Sequence, residues 1–221
     1  MTHVLIVAAH PDDAELALGG TIARLTDHGT EVTVALFTVS ETPGDGDPGR
    51  RARRIEAAEA AAGILGHRLH WLGDGRHDQV EDIPEYRAVG LVDDLVARTA
   101  PDTVISHWDG DSHGDHVRVA RAVIASSRRW PHAALAQFGP NEHRTVRHAE
   151  FVPNLYVPTA DQLARKARAL ACHRYPGQGF RALDTAAVAL FDRARGAAVG
   201  LDAAEGLRLV RHRITPGRPL L

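Results

Sequence analysis

The chain has one cysteine, Cys172, in 221 residues. No disulfide can form within it, and a cysteine-based zinc ribbon is excluded. It has one lysine, Lys166, among 26 basic residues, the rest being arginine. With so much Ala and Gly, this reads as coding bias rather than an adaptation for binding. No sign of charge dominates: 26 basic residues face 28 acidic ones, for a formal net charge of −2. There is no basic stripe, so nucleic acid is not an expected partner. Aromatics are few, with three Trp, three Tyr and five Phe, so a broad stacking platform for a sugar is not assured. No apolar run reaches the roughly 20 residues that a membrane span needs. The N-terminus enters a short apolar run directly, without a charged n-region or a long h-region. The expectation is a soluble, cytoplasmic protein with no membrane span. The length fits one domain over residues 1–221 with a sizeable core; a homo-oligomer is compatible with it.

Short apolar runs alternate with amphipathic stretches. Val4–Ala9, Glu31–Thr38, Arg68–Leu72 and Thr103–His107 read as strands, being short, apolar and β-branched. Ala14–Asp27, Arg51–Leu65, Pro84–Thr99 and Val117–Arg129 read as helices, with Gly29 and Gly66 as stops after the first two. Phe151–Val157 suggests a further strand, and Asp161–Cys172 and Ala203–Arg213 suggest further helices. This alternation predicts an α/β fold, a mostly parallel sheet covered on both faces. Thr42–Gly49 and Trp108–Gly114 carry turn chemistry.

Histidine is plentiful, fourteen in all, and two clusters stand out from the scatter. In a parallel α/β sheet, ligands bind beyond the carboxyl ends of strands. The first strand runs into His10-Pro11-Asp12-Asp13 at such an end. An imidazole and a carboxylate three residues apart, His10 and Asp13, are two proper zinc ligands. Asp12 then remains free to act as a general base. The competing reading makes Asp12 or Asp13 a helix cap, which leaves His10 and the other aspartate unexplained. Gly19-Gly20 is no phosphate loop, because no G-x-G-x-x-G precedes it.

The second cluster follows the fourth strand in "WDGDSHGDHVRVA". Adding His116 gives His10, Asp13 and His116, three protein ligands with an open position, which is a catalytic arrangement. His113 is then free to donate to a developing oxyanion or to move protons, and Asp115 to orient that imidazole. The competing reading is a polar loop whose histidines face water.

"AHPDDAEL", followed about a hundred residues on by "DSHGDH", resembles the PIG-L/LmbE-like family of zinc-dependent N-deacetylases. The resemblance implies a Rossmann-like three-layer sandwich with a mostly parallel sheet. It implies hydrolysis of N-acetyl groups, commonly on N-acetylglucosamine conjugates. Position by position it makes His10, Asp13 and His116 the metal ligands and Asp12 the general base. It makes His113 the histidine that stabilises the tetrahedral intermediate or acts as acid, and Asp115 its support. Arg54, with Arg53 as neighbouring candidate, falls where the family has a substrate-contacting arginine. Asp74 in "LGDGRHD" falls near the pocket. Glu41 loosely matches a glutamate after the second strand, although a solvated loop carboxylate fits that position as well.

The last third, about residues 150–221, departs from the family pattern while completing the substrate side. Lys166 and His173 align with its Lys-x-x-Ala-Leu-x-x-His helix, and Glu205 with a late Ala-Glu segment. Tyr175-Pro176 replaces its Ser-Gln, and "VPTA" stands where an Asp-Ile-Thr or Asp-Ile-Ser stretch is usual. These departures bear on the leaving amine rather than the metal chemistry.

The expected function is therefore a metal-dependent hydrolase of an N-acetyl or other N-acyl group, acting on an amino-sugar-like or natural-product small molecule. Zn²⁺ suits two nitrogens and a carboxylate, and Fe²⁺ or Co²⁺ tolerate the same donors. The alternative keeps the site and changes the bond, to a thiol-conjugate amide or a cyclic imide. A nucleotide-binding module is disfavoured, because the two aspartates would repel a phosphate.

Overall fold

A computed structural model describes residues 2–39, 49–75, 79–139, 150–174 and 184–212. The sheet is built from β1 (His3–Ala8), β2 (Glu31–Leu36), β3 (Arg68–Trp71), β4 (Thr103–His107), β5 (Ala134–Phe138), β6 (Leu155–Pro158) and β7 (Ala204–Arg211). The helices are α1 (Asp13–Asp27), α2 (Arg50–Leu65), α3 (Glu85–Thr99), α4 (Gly114–Ser126), α5 (Leu163–Cys172) and α6 (Thr185–Ala197).

The strand order is β3-β2-β1-β4-β5-β7-β6. The first five strands in that row run parallel, and β7 joins antiparallel between β5 and β6. β1 is the middle one of the five parallel strands, and every residue of it is buried. Its alternate residues feed different layers. Val4, Ile6 and Ala8 pack with Leu18, Ile22, Ala58 and Leu65 of α1 and α2 and with Ala169 of α5. Leu5, Val7 and Ala9 pack with Val92 and Leu95 of α3 and with Val119 and Val123 of α4. A strand buried on both faces has no polar side to show, so it reads as an unbroken apolar run.

The expected α/β three-layer fold is thus the one observed. The sequence reading of the last third needs correcting. Ala203–Arg213 reads as a helix, because Ala, Glu, Leu and Arg are good helix formers. In the structure Ala204–Arg211 is a strand, fixed by pairing Leu207 with both Phe138 and Leu155. The long-range ladder overrides the local preference. β5 and α6 carry no expectation from sequence. Glu41, and all of the Thr42–Gly49 loop except Gly49, lie outside the described residues.

The topology fixes where a site can form. β1 is followed by a crossover to β2 on one side, and β4 lies on its other side. The strand order therefore reverses between β1 and β4, and the crevice beyond their carboxyl ends is where such sheets bind ligands.

Candidate active site

Both histidine clusters stand at that crevice. The segment after β1 carries His10, Asp12 and Asp13, and the segment after β4 carries Asp111, His113, Asp115 and His116. Asp12 is the N-terminal flanking residue of α1, with φ 95° and ψ −25° and no side-chain cap bond. A non-glycine residue at positive φ is strained, so Asp12 is not a simple cap. Asp13 is turned back instead, and its Oδ2 accepts the His10 backbone N–H at 2.8 Å.

Asp13 is the centre of the arrangement. Its Oδ2 lies 3.4 Å from His10 Nδ1 and 3.3 Å from His107 Nε2, and its Oδ1 lies 3.4 Å from His116 Nε2. The rings of His107 and His113 stack on either side of His116, with centroids 4.0 and 4.4 Å away. By distance alone, one ion could be shared by His10, His113 and His116, or by Asp13, His107 and His116.

The hydrogen bonds set which nitrogen of each ring is already committed. His10 Nε2 is 2.8 Å from Asp115 Oδ2, and His116 Nδ1 is 2.8 Å from Asp111 Oδ2. The Asp115 carboxyl is held below its usual range by His10, and that of Asp111 by His116. Ionised carboxylates only accept, so the facing ring nitrogens carry protons. His10 then turns Nδ1, and His116 turns Nε2, toward Asp13. His113 is different, because its Nδ1 accepts the Asp115 backbone N–H at 3.2 Å, which leaves the neutral ring with its proton on Nε2. His107 Nε2 is taken by the Ala9 backbone N–H at 3.0 Å. The nitrogens turned on Asp13 without such a commitment are therefore His10 Nδ1 and His116 Nε2. His113 offers a donor.

The same carboxylates favour protonated rings. Burial disfavours both imidazolium ions, but Asp13 raises His10 to about 9 with help from Asp115. Asp13 likewise raises His116 to about 10 with help from Asp111. Burial would raise Asp13, yet His116, His10 and His107 hold it well below the usual carboxylate range. Asp12 goes the other way. Burial and the neighbouring Asp13 push it up to about 7, against the pull of Arg54, His10 and His116. A carboxylate tuned close to neutrality is suited to take and return a proton.

Asp115 sits otherwise than expected. Its carboxylate holds His10 and the Val80 backbone N–H, and only its backbone amide reaches His113. Arg54 is buried on α2, where its Nε donates to the Val39 carbonyl and its charge acts on Asp12. Arg53 is half-buried one position earlier. Asp74 falls in a 3-10 turn, Leu72–Gly75, and its side chain lies outside the described residues. His173 is buried, with Nε2 3.9 Å from Glu15 Oε1. Lys166 belongs to the fold: its Nζ is 2.7 Å from both Asp192 Oδ2 and Glu205 Oε1.

Sequence reasoning missed His107 and Asp111. A signal existed for each: His107 ends a strand on the same side of the sheet as His10, and Asp111 precedes His116 by five residues.

The family model described as PIG-L, GlcNAc-PI de-N-acetylase, matches residues 5–127, more than half of the chain and both clusters. The chain belongs to the PIG-L family. A similar relative is a probable N-acetyl-alpha-D-glucosaminyl L-malate deacetylase of Bacillus cereus, 27% identical over 194 residues, covering 78% of this chain and 82% of the relative. Among solved structures, the N,N'-diacetylchitobiose deacetylase of Pyrococcus horikoshii aligns at TM-score 0.75 and 23% identity, covering 100% of this chain and 89% of that one. GalB, a 4-carboxy-2-hydroxymuconate hydratase of Pseudomonas putida, aligns equally well at TM-score 0.75 and 21% identity, over 99% and 100% of the two chains. At such identities the likeness speaks for the fold alone, and this PIG-L fold carries more than one chemistry. Among the described residues, no helix of the PIG-L chain is long and apolar enough to cross a membrane.

Proposed function

We propose that this PIG-L chain hydrolyses the N-acetyl, or another N-acyl, group of an amino-sugar-like or natural-product substrate, with a divalent cation held by His10, Asp13 and His116. The observation that carries this reading is the pair of imidazole nitrogens turned on one carboxylate at the β1/β4 switch point. Two nitrogens and a carboxylate oxygen suit Zn²⁺, and Fe²⁺ and Co²⁺ accept the same set. A cation held there would lower the pKa of water and polarise a carbonyl oxygen.

The chain's own groups then do the following. Asp12, beside Asp13 and outside the proposed ligand set, removes the proton of the attacking water. His113 presents its Nε2 proton to the oxygen on which negative charge develops; a donor of this kind is worth roughly 3–4 kcal/mol. Asp12, having taken the water's proton, returns it to the leaving amine. Asp115 keeps His10 in its tautomer. Arg54 is the substrate-side cation nearest this chemistry, with Arg53 and Asp74 as further pocket candidates.

The test is elemental analysis alongside acetate release from a panel of N-acetylated amino sugars. Wild type should carry about one metal ion per three-ligand site. Asp12→Ala should keep it and lose roughly 10²–10⁴-fold in turnover, the usual worth of a general base. His116→Ala should lose both metal and activity. Retained metal and turnover in His116→Ala would sink the ligand assignment. Metal-dependent cleavage of a cyclic imide but of no N-acetyl amine would move the reading to the alternative bond.

A further inference from the structure

The second histidine motif is organised by a residue that takes no part in the mechanism above. Asp111 is buried, its side chain 2% exposed. Both its oxygens are engaged with the site: Oδ1 accepts the His113 backbone N–H at 3.1 Å, and Oδ2 faces His116 Nδ1 at 2.8 Å. One carboxylate therefore holds the segment that carries the oxyanion donor and the ring of a metal-ligand candidate.

The loop that delivers Asp111 is itself pinned. The Trp108 backbone N–H donates to the Phe138 carbonyl at 2.8 Å, and the Asp111 N–H closes back on the Trp108 carbonyl at 3.4 Å. Gly110 lies against the Trp108 ring, where a Cβ would come within 2.4 Å of it, so only glycine fits. Gln137 Nε2 reaches Asp109 Oδ1 at 3.3 Å from β5.

We infer that Asp111 is the positioning residue of this site. Its carboxylate keeps the His116 proton on Nδ1, turns Nε2 toward Asp13, and thereby sets the affinity for a divalent cation. The inference rests on the metal reading proposed above. A residue that merely closed its loop would need only backbone partners. Asp111 spends its second oxygen on an imidazole five residues ahead, and that imidazole's other nitrogen faces Asp13. The same device recurs at the other ring, where Asp115 holds His10 Nε2. Carboxylates behind ligating histidines fix tautomer and ring plane, and their loss typically costs 10–100-fold in metal affinity.

Asp111→Asn tests this with little change of shape. The amide oxygen can still accept the His113 N–H, but the NH₂ group then faces His116 Nδ1. That favours the tautomer with its proton on Nε2, pointing at Asp13. The measurement is a competition titration of Zn²⁺, and separately Co²⁺, against a chromophoric chelator, on the full chain and its variants, with thermal melting as a check on folding. The expected result is roughly 10–100-fold weaker binding in Asp111→Asn at a near-wild-type melting temperature. Asp109→Asn, which removes the same charge from the same loop, should bind as wild type does.

Metal-free protein adds a second readout. The imidazole ¹⁵N–¹H spectrum should show a His116 Nδ1 proton shifted downfield by its hydrogen bond to the Asp111 carboxylate, and that shift should be lost in Asp111→Asn. If that variant does not fold, the wild-type spectrum decides alone, and absence of the Nδ1 proton overturns the inference. Equal metal affinity in wild type and Asp111→Asn overturns the role of Asp111 and leaves the proposed function standing. A wild-type chain that binds neither cation overturns the metal reading itself, and this inference with it.

Discussion

Asp12 sits at φ 95° in a half-buried position, and its surroundings push its carboxyl up to about 7. Both facts say that the fold would be more comfortable without it. Strained φ/ψ of this kind costs on the order of 1–3 kcal/mol, more than the 0.5–1 kcal/mol that glycine loses in backbone entropy. Asp12→Gly should therefore melt above wild type, by about 2–4 °C per kcal/mol gained in a chain of this size, while losing turnover. Calorimetry of the metal-free proteins checks this, and a lower melting temperature would show that Asp12 is held without strain. At this scale much of the site was readable. His10, Asp12 and Asp13 form one short cluster and His113, Asp115 and His116 another, each at a strand end, where chemistry gathers. What sequence could not give was which nitrogen of each ring is committed. That depends on Asp111 and Asp115 folding back, and on a backbone amide from Ala9 capturing His107. The partner of the Asp115 carboxylate, His10, is 105 positions away in the chain, beyond what local spacing encodes.

At the scale of elements, α1 shows why Gly19 and Gly20 belong inside a helix. A Cβ on Gly20 would come within 2.7 Å of the Thr159 side chain, and one on Gly19 within 2.8 Å of Lys166 Cγ. The pair lets α1 approach α5 and the segment leading into it. Gly63 in α2 has nothing within 4 Å. Gly20→Ala should thus destabilise by roughly 1–3 kcal/mol through overpacking, whereas Gly63→Ala should stabilise by about 0.5–1 kcal/mol through helix propensity. Urea unfolding of the two variants measures both, and equal effects would mean that α1 can shift to make room. The same contrast explains what sequence reading reached. β1, β2 and β4 are buried and rich in β-branched residues, so they declare themselves. β5 is Ala-Leu-Ala-Gln-Phe, without a β-branched residue. β7 is built from helix formers, and its Gly206 is required because a Cβ there would meet Pro153 at 2.8 Å. Neither strand is legible without its neighbours.

At the scale of the molecule, the last third is locked to the first helix by Lys166. Its ammonium lies between Asp192 and Glu205, all three side chains nearly inaccessible. Glu205 in turn accepts the Gly20 and Thr21 backbone N–H groups at 2.8 and 2.6 Å. The helix that positions Asp13 is thus fastened to β7, α5 and α6 by charge rather than by apolar packing alone. Lys166→Met would strand two buried carboxylates, at a cost of roughly 3–5 kcal/mol. Adding Asp192→Asn should recover part of that loss, because burial and Glu205 already push Asp192 up to about 6 despite the nearby lysine. Denaturant titration of the single and double variants reads the difference. Equal stability of Lys166→Met and wild type would show that the charges contribute nothing net.

The position of β7 has a further consequence for how the chain is made. Among the described residues β6 has no strand neighbour except β7, and the far edge of β5 is closed by β7 too. During synthesis β5 and β6 leave the ribosome first, and neither can complete its pairing until residues 204–211 follow. Throughout that interval β5 presents a bare row of amides and carbonyls, the kind of edge on which strands of other chains add. The parallel half of the sheet can assemble as it emerges. The remainder must wait for its last strand, so nascent chains stalled before Ala204 are the ones that a chaperone would be expected to hold.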